Sequence, residues 1–381
     1  MAANVILVVV VLAFAWNLGV HYTGAVMGMP HAARAVSIWP ALILIAIAAL
    51  LGATFASGGV QETVGLHIIE ASDVTKVDAI AIVAAAGGLT LFYNYAKVPT
   101  STIQILVFCV VGAGLAADIP IEWSTIASLV VVWIIAPVAA VILGFILTRL
   151  LDLAIPTPAT RVQVNEEVLV AAGADRASSI AQPAPAQRGT PWQRWFPNVF
   201  TPLAPNTADA ARASARLSVE TTLFLLRWLP ALLLAVGIAA SFVMGANDVS
   251  NATGALIMTN LFSLRVAGLL GGIAIAVGAL TWGKRILQTV AFDVVHMDLT
   301  MASAAQGVQA LVVLIAVTQG YFTSMNQALI GAMAGTGLAR GSETVRRKQL
   351  AGILRGWALG PVSGLAIAFL LDHFLTAVTR G

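Results

Sequence analysis

The sequence predicts an all-α integral membrane protein of about ten spans in two inverted five-span repeats. Three observations carry that expectation: an extreme composition, an internal duplication at nearly constant offset, and an odd number of spans in each half. Of 381 residues, 59% are hydrophobic and 10% charged. The mean hydropathy is +0.92, more apolar surface than a chain in water can hide.

With about 20 apolar residues needed per crossing, the first half places spans near 3–28, 36–56, 77–96, 99–117 and 125–149. The second half places them near 228–259, 264–282, 300–319, 322–340 and 350–372. The first run, MAANVILVVV, has no basic region before it and no small-residue cleavage site after it. It reads as a retained span rather than a signal peptide. The lone Cys109, inside an apolar run, excludes an intramolecular disulfide and reads as a packing residue. An external N-terminus places 17 of the 20 Lys and Arg residues on the cytoplasmic side. The positive-inside bias therefore predicts that both termini are external. A formal net charge of +3 is explained by this asymmetry and calls for no nucleic-acid partner.

The duplication is visible in four landmarks. WNLGVHYTGAVMG at 16–28 parallels ANDVSNATGALIM at 246–258, and GATFASGGVQETV at 52–64 parallels GALTWGKRILQTV at 278–290. PTSTIQILVFCVVGAGLA at 99–116 parallels FTSMNQALIGAMAGTGLA at 322–339, and Trp133 with Pro137 parallels Trp357 with Pro361. The offsets are 230, 226, 223 and 224. Five spans per half force the second half to enter from the opposite face, an inverted repeat of the kind secondary transporters place around a midplane site. Domain boundaries follow: 1–150 as the first repeat, 151–222 as an Ala- and Pro-rich cytoplasmic linker, and 223–381 as the second repeat. The linker holds eight of the fifteen prolines and is expected to form no packed core. Its TPWQRWFPNVF stretch, with Trp192, Trp195, Phe196 and Arg194, suits either a headgroup-level anchor or a subunit contact.

The most telling stretch is GANDVSNATGAL at 245–256, which puts Asn247, Asp248 and Asn251 inside an apolar segment. An Asp at mid-membrane costs roughly 2.5–3.5 kcal/mol on insertion scales, so it marks a cavity, an ion or a partner. The alternative is interhelical hydrogen bonding between close-packed helices. Three polar side chains within five residues favour a binding site.

These twelve residues resemble the signature of the inorganic phosphate transporter (PiT) family, which carries two copies of a G-A-N-D-V-A-N-type stretch, one in each half. The third landmark resembles the family's other hallmark, a P-V-S-T-T-H-like turn opening a short helix, and so implies re-entrant helical hairpins. A helix that begins in mid-membrane exposes free N–H groups and the positive end of its dipole, which suits an anion. Capping by Ser and Thr is the plainer reading of one such turn.

The resemblance implies an ion-coupled permease for an inorganic tetrahedral oxyanion, with alternating access at a site between the repeats. Asn17, Asn247, Asp248 and Asn251 would line the place where substrate and coupling cation meet. Ser101, Thr102, Ser324 and Asn326 would hold the oxyanion. Glu62, in a G-x-x-V-x-E-T-like stretch with Gln288 as its counterpart, would join Asp248 in ion coupling, and Gln306 is a further candidate. No cofactor is implied beyond sodium or protons as the coupling ion. A homodimer embedded in the lipid bilayer is expected from the resemblance alone.

The chain departs from the pattern in its first copy, which reads Asn17, Leu18, Gly19, Val20, His21. Leu18 stands for the lost carboxylate. His21, near the neutral range with an ordinary pKa of about 6.5, suits either proton coupling or an interhelical hydrogen bond. Sulfate only accepts hydrogen bonds at neutral pH, whereas phosphate also donates one. A lost acceptor therefore tilts the expectation toward sulfate, and a degenerate first signature resembles the family's sulfate permease branch. Sodium-coupled phosphate transport is the family default. An enzyme built on Asp293, His296 and Asp298 of DVVHMD, and an anion channel, are the competing classes.

Overall fold

The computed structural model describes residues 1–96, 100–154, 191–196, 219–289, 297–341 and 347–380. Most of the 151–222 linker lies outside them, as do Pro99, Asp293, His296 and the side chain of Gln288. The first half comprises α1 (Ala2–Ala32), α2 (Ile38–Phe55), the short α3 (Gly58–Leu66), α4 (Lys76–Tyr95), α5 (Thr102–Ala116) and α6 (Trp123–Ala154). A one-turn α7 (Pro191–Trp195) precedes α8 (Val219–Met258), α9 (Leu264–Thr289), α10 (Leu299–Thr318), α11 (Met325–Arg340) and α12 (Arg347–Arg380). Helices satisfy their own backbone groups, which is what an apolar solvent demands. The described residues pair as β-structure only at Ile69 and Ile121.

Among the described residues, eight helices are long and apolar enough to cross a bilayer: α1, α2, α4, α6, α8, α9, α10 and α12. The remaining two expected spans are α5 and α11, of 15 and 16 residues. At 1.5 Å per residue they reach about 22 and 24 Å, short of a hydrocarbon core of about 30 Å. Lipid-facing positions on the outer helices are apolar, among them Ile134, Val138 and Ile142 of α6 and Leu359, Val362 and Leu370 of α12.

Each short helix is the second arm of a hairpin. The end of α5 returns to the start of α4, where Glu70 N–H bonds the Pro120 carbonyl at 3.1 Å and Glu122 N–H bonds that of Ile68 at 2.9 Å. The end of α11 returns to the start of α10, where Arg340 Nη2 meets Asp298 Oδ2 at 3.1 Å. Helix α6 starts beside the end of α5, and its Asp152 pairs with Arg340 at 2.5 Å. Its 32 residues separate those ends by about 48 Å. Thus α5 and α11 leave a shared middle level in opposite directions, and their first turns touch where Gln327 Nε2 donates to Gln104 Oε1 at 3.2 Å.

Packing between the halves is reciprocal. Gly112 of α5 lies against the backbone carbonyl of Leu365 in α12, and Gly335 of α11 lies against that of Val141 in α6. The paired positions are 223 and 224 residues apart. Gly52 lies against Phe242 and Gly278 against Trp16, while Gly19 lies against Ile275 and Gly245 against Ala49. Every counterpart in these four contacts is 226 residues away. Small residues let helix backbones touch where lipid offers no hydrophobic drive.

The 226-residue register corrects the 230 expected for 16–28 against 246–258. A slip of four is about one helical turn and leaves each residue on the same face, so residue pattern alone matched the wrong turn. In the contact register Tyr22 corresponds to Asp248, His21 to Asn247 and Ala25 to Asn251. Leu18, expected opposite Asp248, is an ordinary buried core residue.

Two smaller features complete the frame. Asp298 caps α10, accepting from Met301 N–H at 2.9 Å and Thr300 Oγ1 at 2.6 Å. Trp195, in the aromatic part of the linker, accepts through its carbonyl from Ser37 N–H at 2.8 Å. Phe196 packs onto the core while Trp192 and Trp195 stay exposed.

Replacing Gly335 by Val puts a side chain into the Val141 carbonyl, and overpacking of this kind costs about 1–3 kcal/mol. The expected result is a lower unfolding midpoint in detergent. Arg340→Met leaves Asp152 and Asp298 without their shared cation, at a cost of about 3 kcal/mol. The same unfolding measurement checks it, with Gly58→Ala, at a position open to space, as a neutral control.

Candidate functional site

The site grows from the α8 stretch that the sequence singled out. Asp248 is fully buried. Its Oδ2 accepts from Asn247 Nδ2 at 3.1 Å and its Oδ1 from Asn251 Nδ2 at 3.4 Å. Tyr22 of α1 lies close to the carboxylate. Among the described residues both donors are neutral.

A hydrogen-bonded ring ties this carboxylate to the first hairpin. Asn251 Nδ2 donates to Thr102 Oγ1 at 3.3 Å, and Thr102 Oγ1 lies 2.6 Å from Tyr22 Oη. Either hydroxyl of the Tyr22–Thr102 pair can be the donor, and Thr102 accepts from Asn251. The ring joins α1, α5 and α8.

The second hairpin is held from the same helix. Asn247 Nδ2 donates to the Thr323 carbonyl at 2.9 Å, and Asn247 Oδ1 accepts from Thr323 N–H at 3.2 Å. This two-point clasp fixes the turn that opens α11. Ser101 and Ser324 cap their helices alike, accepting from Gln104 and Gln327 N–H groups at 3.3 Å each. Both capping turns are buried, so two helix N-termini face the Asp248 region with their dipoles positive end inward.

The His21 side chain bridges the halves on the other side of Tyr22. Its Nδ1 lies 2.5 Å from Asn94 Oδ1 and its Nε2 lies 3.0 Å from Asn326 Nδ2. A neutral ring with the proton on Nδ1 satisfies both contacts. Asn17 lies further along this network, accepting from Asn94 Nδ2 and donating to the Gly87 carbonyl, both at 3.4 Å. Gln306 ties α10 to α1 through the Ala25 carbonyl at 3.1 Å and bonds Gln309.

The structure thus brings together Asn247, Asp248, Asn251, Thr102, Ser101 and Ser324, with Asn17, His21 and Asn326 as a flanking group. Glu62 stands apart. It is exposed on α3 and lines an open pocket of about 400 Å³ with Thr63, His67, Ser128, Gly320 and Tyr321. Thr63 Oγ1 bonds the Gly320 carbonyl at 2.7 Å, which sets this pocket against the turn whose next residues Asn247 clasps.

Sequence reasoning missed Tyr22, Asn94, Gln309 and Thr323 as members of the site. Tyr22 had a signal, since a register shifted by one turn sets it opposite Asp248. Four buried polar atoms in this region have no partner among the described residues: Asn251 Oδ1, Thr323 Oγ1, Gln306 Oε1 and Gln327 Oε1. Natural interiors satisfy nearly all such atoms, so clustered exceptions mark a place that a ligand completes. No group of three or more potential metal-ligating His, Cys, Asp or Glu side chains occurs among the described residues.

A polytopic helical bundle whose buried Asp248 lies beside the first turns of two short helices has the form of a membrane transporter. The phosphate transporter family profile matches residues 18–368, and the chain belongs to that family. It is an integral multi-pass membrane protein and not an enzyme. It is 25% identical over 420 residues to "Inorganic phosphate transporter 2-1, chloroplastic" of Arabidopsis thaliana, covering 96% of this chain and 70% of that protein. It is 24% identical over 361 residues to "Sulfate permease CysP" of Bacillus subtilis (strain 168), covering 94% and 84%. Among solved structures, "The sodium-dependent phosphate transporter" superposes with a TM-score of 0.76 at 20% identity, covering 99% of this chain and all of that one.

Asn247→Ala removes both bonds to Thr323 and strands two buried backbone groups. The expected loss is about 1–3 kcal/mol per group, read as a fall in the detergent unfolding midpoint larger than that of Asn17→Ala, whose two bonds are 3.4 Å long.

Proposed function

We propose that the protein is a sodium-coupled symporter of a tetrahedral inorganic oxyanion, working by alternating access between two inverted repeats, 1–150 and 223–381. One observation carries this reading: the buried Asp248 carboxylate has only neutral donors around it, among the described residues, and sits beside the first turns of two short helices. An uncompensated charge in such a place costs several kcal/mol. A cation on the carboxylate removes that cost, and Asn251 Oδ1, which lacks a partner, is a second oxygen ligand for it. A bare proton has no use for that second ligand, which favours sodium. The sodium and the helix dipoles then make a field that accepts an anion.

The oxyanion lies at the two capped turns, where Thr323 offers a hydroxyl with no partner among the described residues. The inverted arrangement is supported by the reciprocal backbone contacts and by the opposite directions of α5 and α11. The Gln104–Gln327 pair sits on the axis relating the halves, since each is the counterpart of the other. Positive-inside charge places both termini outside. The start of α6 and the Glu62 pocket are then external, and the pocket is the vestibule above the Thr323 turn.

For the anion, the counterpart of Asp248 is Tyr22 rather than a second carboxylate acceptor, which favours sulfate because sulfate only accepts hydrogen bonds. Phosphate is the second reading, favoured by the family, by the names of most relatives and by Gln327 Oε1, an unpartnered acceptor suited to a P–OH group. A site that bonds a ligand's OH rejects the ligand lacking it by about 10⁴–10⁵, so the two readings separate sharply.

Uptake of labelled sulfate and of labelled phosphate into proteoliposomes, with sodium and proton gradients imposed separately, tests the proposal. Sodium-driven sulfate uptake is expected, falling about 100-fold in Asp248→Asn, the effect of losing about 3 kcal/mol of charged contact. Proton-driven uptake refutes sodium coupling, and sodium-driven uptake of phosphate alone selects the second reading. A folded protein that moves neither anion sinks the proposal.

A further inference from the structure

The two halves share a backbone frame but not the same polar residues, and the difference falls on the cation. In the 226-residue register set by the glycine contacts, the Asn247, Asp248 and Asn251 constellation has His21, Tyr22 and Ala25 as its counterpart. A twofold frame offers two equivalent cation positions, and in this chain the sequences at the two have diverged. We infer that the position related to the Asp248 site is filled by protein side chains, Tyr22 above all, and that the transporter carries a single sodium ion per chain. This rests on the sodium reading of Asp248 given above.

Three observations support it independently. Tyr22 is fully buried beside Asp248, and its hydroxyl is engaged with Thr102 at 2.6 Å. It brings no charge and no carboxylate oxygen. His21 is likewise committed, with Nδ1 on Asn94 and Nε2 on Asn326. Ala25 offers only its carbonyl, which accepts from Gln306. The unpartnered Asn251 Oδ1 has no equivalent in the first half, where Ala25 ends at Cβ.

A second sodium there would find no carboxylate to neutralise it and would displace hydrogen bonds already made. A bare charge in the membrane interior costs several kcal/mol, so the position stays empty of ions at any ordinary sodium concentration. The phenol fills that side and links α1 to the first hairpin through Thr102. His21 is then a positioning residue that ties α1 to Asn326 in the second hairpin rather than a carrier of the coupling ion.

The test is equilibrium binding of radioactive sodium to the purified full chain in detergent, counted per mole of protein. The expected counts are one for the natural sequence and none for Asp248→Asn. The paired change Tyr22→Asp with Ala25→Asn rebuilds the second position and is expected to raise the count to two. The slope of uptake against sodium concentration should follow, from first to second order.

Two sodium ions on the natural sequence overturn this inference while leaving the Asp248 site intact. None on it overturns sodium coupling and the inference together. A folded paired variant that still binds one shows that Tyr22 does not occupy a vacated cation position. Should that variant fail to fold, the count on the natural sequence decides the matter alone.

Discussion

The structure depends on keeping one carboxylate buried in a membrane-spanning bundle. Asp248 accepts from Asn247 and Asn251 of its own helix α8, and each donor is itself held by a further bond to one of the hairpins. Remove that constraint and nothing requires Asn247 to clasp the second hairpin or Asn251 to reach the first. Because the interior is a poor dielectric, hydrogen bonds here are strong and unmatched groups are costly. The same low dielectric makes an accompanying cation worth several kcal/mol.

The short helices follow from the same requirement. A continuous span buries its N-terminal amides in headgroups or water, where they do nothing for an anion. Helices α5 and α11 begin instead at buried serines, and each is closed against a full-length partner at its outer end. Their seats are made by glycines against backbone carbonyls of α12 and α6. Each hairpin of one half therefore packs on the last helix of the other, so neither half forms the site without its counterpart.

The two hairpins are not held equally. The second is clasped by Asn247 at Thr323 and locked at its outer end by Arg340 with Asp152 and Asp298. The first touches α8 through the Thr102 ring, and at its outer end Thr75 with Asp78 closes a capping box where the other half has an ion pair. Asp248 of α8 thus stands between two unlike arms, with Tyr22 of α1 beside it.

Composition, charge bias and the repeated landmarks determined by themselves that this chain is a polytopic helical membrane protein with a polar centre at 245–256. Those properties are local or additive, and a bilayer leaves helices almost the only option. The helix-opening turns at Ser101 and Ser324 were equally legible, because a cap is written in neighbouring residues. Only the tertiary structure decided which residues face Asp248. Shifting a helix by one turn preserves its face, so the sequence set Leu18 opposite the acid. Backbone contacts at Gly19, Gly52, Gly245 and Gly278 set Tyr22 there instead. Glu62 followed a motif into the site on paper, but α3 carries it to the open pocket beside Gly320. Distances between helices far apart in sequence arise from packing, and that information is held in no single stretch of the chain.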